Sequence, residues 1–292
     1  MSRRLMLLGG LVLVAAASLA LWLVTRLPEK VTLSPVQTLA SLDAEIFDID
    51  AAAVTRKGTP RAKVLRFGKA MEFVPHHYAE AGLDAPVPID DWADRLAAPV
   101  VINAGQFDDK LAHLGWLKAN NEWLNDDRKP QWKGLLVSGP LLGPPFAGVV
   151  DLEYASPQIV DGFRHAVQSM MLVDETSRVR VRDSDLLANR MVVAQDRRGR
   201  MLVVWTEGAV TLGDFARWLP SVGLDLVRAM NLDGGIEAQL ALRTPELRLS
   251  LYGQYGTGTT MLEAGPGEVR YPLPAVIAIM PPAPRAPLDS TP

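Results

Sequence analysis

The segment Asn231-Leu232-Asp233-Gly234-Gly235 holds a carboxylate beside two glycines at the end of an apolar run. Glycines without a Cβ let backbone approach a ligand closely, and successive N–H groups in a turn can line an anion site. The same residues also read as a glycine turn in which Asp233 accepts local hydrogen bonds. Glu237 follows four positions later. Two acids can share glycosidic cleavage, their separation deciding retention or inversion; taken alone, Glu237 reads as a solvated charge. Arg190 offers a planar cationic fork suited to phosphate, or an ordinary salt bridge. Asn103 leaves the apolar Val101-Ile102 with an amide able to donate to and accept from a sugar hydroxyl, or to make a strand-to-turn bond.

Several chemistries are excluded. No cysteine is present among the 292 residues, so there is no disulfide, thiolate metal site or cysteine nucleophile. His76, His77, His113 and His165 form no H-x-x-x-H pair, and no metal centre is expected. No motif calls for a cofactor. Asp233 with nearby carboxylates could hold a hard divalent cation, though nothing in the pattern demands one. A formal net charge of −3 without a basic stripe argues against nucleic acid as a partner. Neither a Gly-x-Ser-x-Gly elbow nor a Walker loop occurs.

The elements that must position these residues are legible in outline. Ala62 to Phe67 alternates as a strand, Ile89 to Leu96 forms a short helix, and Pro99 to Ile102 is an apolar strand. Gly134 to Val137 and Gly148 to Leu152 are strands separated by a Gly/Pro-rich turn. Met191 to Ala194 and Met201 to Trp205 flank a Gly-containing loop as a hairpin. Thr211 caps a helix with Asp214 three positions on, Pro220 and Gly223 end it, and Leu226 to Leu232 returns as a strand. His76-His77-Tyr78 reads as a loop. The polar stretch Asn120 to Lys129, among Trp116, Trp123 and Trp132, reads as an exposed loop or a sugar-stacking platform. The expected fold is α+β: a single domain over residues 41–280 with a mixed β-sheet core flanked by helices.

The chain opens with residues 1–4 as a cytoplasmic stub, then an apolar run from Leu5 to Val24. Twenty residues at about 1.5 Å each span roughly the 30 Å hydrocarbon core. Residues 5–25 are therefore read as a transmembrane helix anchoring the chain to the membrane, with a cleaved signal peptide as the competing reading. The modest positive-inside bias of Arg3 and Arg4 directs the main domain outside the cytoplasm, into a periplasmic space. Residues 26–40 read as a stalk and 281–292 as a Pro-rich tail.

Four segments, in order, resemble the phosphodiester glycosidase domain family. Val101 to Phe107 is similar to that family's IN-G-G-F-F strand end, and Ala166 to Val173 to its Q-S/G-P-x-L-V strand. Arg190 opens a similar hairpin, and Thr211-Leu212 through Gly235 resembles its T-L-x-E-L-A … N-L-D-G-G helix and strand. Ala104 replaces the usual first glycine, Gln106 an aromatic and Met170 a proline, while Ile236-Glu237-Ala238 stands where Gly-Ser-Ser is usual. The resemblance implies a glycosidase acting on a sugar-1-phosphodiester, with a glycan or sugar phosphate as substrate. It implies Asp233 and Arg190 as catalytic, and Asn103, Gly105, Gln168, Asn231, Gly234 and Gly235 as substrate-binding; Glu237, in the region where small hydroxyl residues are usual, is taken as a second catalytic acid. On that reading Arg190 and the amides of Gly234 and Gly235 clamp the phosphate, which leaves readily without strong protonation. The rival expectations are a non-catalytic polysaccharide-binding or assembly protein on the same fold, and a glycosidase for ordinary glycosides that needs a proper general acid.

Overall fold

The computed structural model describes residues 33–68, 70–256 and 270–282. The stub, the anchor at 5–25, residues 26–32 of the stalk and most of the tail lie outside the described residues. Among the described residues no helix is long and apolar enough to cross a membrane.

Apolar, β-branched runs build two sheets. The larger has eleven strands, numbered in chain order. Its spatial path is β1 (Gln37–Leu39), β2 (Ala44–Asp50), β3 (Arg61–Phe67), β13 (Met201–Thr206), β12 (Arg190–Asp196), β15 (Leu226–Gly234), β10 (Phe163–Val173), β6 (Leu117–Ala119) and β7 (Glu122–Asn125). Off this path β8 (Gly134–Pro140) pairs with β10 and with β9 (Ala147–Asp151). The smaller sheet has five strands in the order β17 (Arg248–Leu251), β16 (Leu240–Arg243), β5 (Val100–Asn103), β18 (Ala275–Met280) and β4 (Glu72–His77). A two-stranded ribbon joins β11 (Leu187–Ala188) to β14 (Val210–Thr211).

The two sheets pack face to face. Ile46, Leu65, Val193, Val203, Met230 and Leu232 of the large sheet meet Phe73, Val100, Ile102, Ile277 and Ile279 of the small one in a buried core. The large sheet's other face carries Val64, Val192, Ala194 and Val204 against Phe215, Trp218 and Leu219, in and just after α2 (Leu212–Trp218). The small sheet's outer face receives Ile89, Trp92 and Ala93 of α1 (Ile89–Leu96) on Val101, Ala241, Val276 and Ala278. Strands buried on both faces read as continuous apolar runs instead of alternating ones, as β12 and β13 do.

This corrects the expected fold class. The chain is predominantly β, and every ladder among the described residues is antiparallel, so the sheet is not mixed. Two further expectations change. Residues 37–39, assigned to the stalk, pair with β2 as a strand. His76 and His77 close β4 instead of forming a loop. Within the polar 120–129 stretch, β7 pairs with β6, and Trp116 and Trp123 lie 5.7 Å apart. The turn and cap signals hold: the Thr211 hydroxyl accepts the Asp214 N–H at 3.1 Å. Gly199 takes φ +79° in the β12–β13 loop, where an Asp196 oxygen accepts the Arg198 and Arg200 N–H groups.

One irregularity makes room for a site. β10 pairs with β15 only through Met170, Met171 and Val173, then turns to β6 through Ala166 and Val167. The last residues of β15 therefore keep β12 on one side, with Arg190 opposite Gly234, and lose β10 on the other.

Candidate active site

The freed end of β15 borders a cavity of about 350 Å³. Arg190, Asn231, Asp233, Gly234 and Glu237 line it, with Gln106, Phe107 and Leu114 closing it from the β5–β6 connection. Ala188, Ile236 and Gly256 complete the wall. All three predicted catalytic residues thus meet in one concavity.

Backbone geometry at the glycines sets the acids' positions. Gly235 has φ +76°, a left-handed conformation that opens the short turn Gly235–Glu237 and brings Glu237 round to the cavity. Gly253 crosses so close that a Cβ there would sit 1.8 Å from the Gly235 carbonyl oxygen. Asn189, which no sequence motif marks, binds these pieces together. Fully buried, it donates through Nδ2 to the Thr206 and Glu207 carbonyls at 2.8 and 2.9 Å. Its Oδ1 accepts the N–H groups of Gln254 and Tyr255 at 2.7 and 2.8 Å, and its carbonyl accepts from Gly235 at 3.0 Å.

Arg190 is buried and partly engaged: Nη2 donates to the carbonyls of Leu186 at 2.9 Å and Val210 at 3.2 Å. Its Nε has no partner among the described residues, and neither has Oδ1 of Asn231. A buried donor and a buried acceptor without partners are each costly to leave unpaired.

The electrostatics are those of a crowded, desolvated acid pair. Burial raises Asp233 to about 6, opposed by the Gly234 N–H and the Arg190 charge. Glu237 rises to about 7 through burial and then through the Asp233 charge. Burial lowers Arg190 to about 10 against the pull of Asp233, so it stays cationic at neutral pH. Burial raises both carboxyls, and the Asp233 charge raises Glu237 further, so the pair holds protons to higher pH than free carboxyls do. Tyr271 is also raised, by burial and by the charges of Glu237 and Asp233.

The remaining predicted residues divide. Asn103 is buried and committed to backbone: Nδ2 donates to the Asp233 carbonyl at 3.4 Å and Oδ1 accepts the Gln239 N–H at 3.2 Å. Its bonds place Asp233 instead of reaching a sugar. Gly234 and Gly235 line the right place, but their amides are occupied, by Asp233 Oδ1 at 2.8 Å and the Asn189 carbonyl at 3.0 Å. The expected amide clamp on phosphate is therefore not formed. Gly105 serves packing, since a Cβ there would meet His113 Cε1 at 2.7 Å. Gln168 does not reach the cavity. Fully buried, it accepts from the N–H groups of Trp116 and Lys129 and donates to the carbonyls of Lys129 and Trp132, which commits its whole amide to the 116–132 loop. No cluster of metal-ligating side chains occurs among the described residues.

The family model for phosphodiester glycosidases matches residues 97–279, which spans both the acid pair and Arg190. The chain belongs to the phosphodiester glycosidase family. No curated protein matches it by sequence. The fold is similar to the catalytic domain of zebrafish N-acetylglucosamine-1-phosphodiester alpha-N-acetylglucosaminidase, a structure auto-inhibited by its pro-peptide. The TM-score is 0.57 at 16% identity, over 86% of this chain and 85% of that one. A hypothetical protein from Synechocystis is also similar, with TM-score 0.54 and 13% identity over 82% of this chain and 62% of that one. At these identities the likeness concerns the fold; membership of this glycosidase family supports a glycosidase-type activity.

Proposed function

We propose that this phosphodiester glycosidase family member hydrolyses a sugar-1-phosphodiester, with Asp233 and Glu237 as its working carboxyls and Arg190 holding the phosphate. The observation that carries this reading is the convergence of the three on one cavity. The bond between the anomeric carbon and the phosphate oxygen breaks, the oxygen keeps the electron pair, and water supplies the hydroxyl. Ionised Asp233 stabilises the positive charge growing at the anomeric carbon. Protonated Glu237 hydrogen-bonds the departing phosphate, which needs little more, because a phosphate monoester is a good leaving group. The cationic contact to the phosphate falls to Arg190, since the Gly234 and Gly235 amides are engaged. Asn103 and Asn189 hold the backbone on which the acids sit. The apolar run Leu5 to Val24 supports a membrane-tethered, extracytoplasmic placement for this chemistry.

A second reading, a polysaccharide-binding protein without turnover, draws support from those same engaged amides and from Ile236-Glu237 in place of small hydroxyl residues. Incubation with a panel of sugar-1-phosphodiesters decides between them, with released reducing sugar followed by mass spectrometry. Product from the wild type and none from Asp233→Asn supports hydrolysis. Glycan bound and recovered intact supports the binding reading.

A further inference from the structure

A second cavity, of about 480 Å³, is walled by Trp132, Lys133, Met170, Arg180, Arg182 and Leu212. Two of its lining residues lie beside elements of the acid site. Met170 is the cross-strand partner of Asn231, so their side chains stand together on one face of the sheet. Leu212 follows directly on β14, where Val210 pairs with Ala188 of the acid site and accepts from Arg190. The walls combine apolar side chains with an indole and three cations. Arg180 is neutralised by Asp151 at 2.7 Å and Asp174 at 3.3 Å, and Lys133 meets Glu153 at 3.3 Å. Arg182 is exposed and makes no ion pair with a described residue.

We infer that this groove receives the alcohol half of the phosphodiester, and that this half carries a further negative charge: the substrate is a sugar-phosphate chain, not a diester of a lone neutral alcohol. The inference rests on the phosphodiester reading of the acid site. Once the anomeric carbon lies at Asp233 and the reacting phosphate at Arg190, the alcohol still esterified to the departing phosphate extends toward the groove, whose Met170 pairs with Asn231 and whose Leu212 follows the strand that accepts from Arg190. There Met170 and Leu212 cover a carbon skeleton, Trp132 offers a face to a sugar ring, and Arg182 supplies a cation for the next phosphate.

Two sugar-1-phosphodiesters test it on the full chain, one with methanol as the alcohol and one with a hexose 6-phosphate. Arg182→Gln is expected to raise KM for the second about tenfold and to leave the first unchanged, the effect of removing one charge-assisted hydrogen bond. Trp132→Leu is expected to act in the same selective direction. Equal effects on both substrates, or none on either, would overturn the groove while leaving the hydrolysis standing. Calorimetric binding of a hexose bisphosphate to the wild type and to Arg182→Gln reads the groove without turnover. About tenfold weaker binding in the variant supports the groove even where no diester is cleaved, and equal binding overturns it.

Discussion

Asp233 and Glu237 are held where their charges are unwelcome, and this has opposite consequences for activity and stability. On the proposed roles the active form has Asp233 ionised and Glu237 protonated. The rate kcat/KM is expected to be a narrow bell with an acid limb near 6 and a basic limb near 7; the limbs belong to the coupled pair. Glu237→Gln should abolish the basic limb, and a pH–rate profile checks it. Stability runs the other way. Both carboxyls have folded values above their ordinary ones, so the folded chain binds more protons than the unfolded chain between about 4 and 7. Stability is expected to fall as pH rises through that window. Asp233→Asn should then melt higher than the wild type at about pH 8, by about 2–4 °C for each kcal/mol recovered, and no differently at about pH 4. A variant that melts lower on the alkaline side would mean the carboxylate makes compensating bonds that Asn cannot keep.

At the scale of elements, the positions of single strands and caps are legible in the sequence, while the bonds between elements are not. The hairpin from Arg190 to Trp205 announces itself because buried β-branched residues flank a turn in which Asp196 and Gly199 make the local bonds. Burial on both faces erases the alternation that would reveal antiparallel pairing, which is why the sequence points to a mixed sheet. Asp233, Glu237 and Arg190 stand out because their types and the Gly-Gly signal are local. Asn189 is hidden, since an asparagine before an arginine says nothing of Tyr255, sixty-six positions on. Distance in sequence likewise conceals that Gln168 is committed to the 116–132 segment and that the Gly235 amide is bonded to the Asn189 carbonyl. Two substitutions test these element-level bonds. Thr211→Ala removes the cap of α2 and is expected to cost about 1 kcal/mol by chemical denaturation, with activity kept. Gly253→Ala drives a methyl into the Gly235 carbonyl. It is expected to destabilise by about 1–3 kcal/mol and to lower kcat, because the shifted backbone carries Glu237; a stable variant with full kcat would detach the crossing from the site.

For the whole molecule, the described sheets and helices form a body with three main cores. The first core joins the two sheets, the second places α2 on the large sheet, and the third places α1 on the small one. Its first contributing side chain is Leu33, packed against the α2 core. The apolar run Leu5 to Val24 lies outside the described residues, and the proposed tether rests on its length, which matches a bilayer's hydrocarbon core. Removing residues 1–32 is accordingly expected to leave the thermal midpoint and kcat/KM unchanged, while moving the protein from the membrane fraction to the soluble one. Unchanged fractionation would refute the tether, and a lowered midpoint would show that the segment packs on the domain. The two readouts are independent, because tethering acts on where the cavity meets its glycan and packing acts on whether the cavity forms.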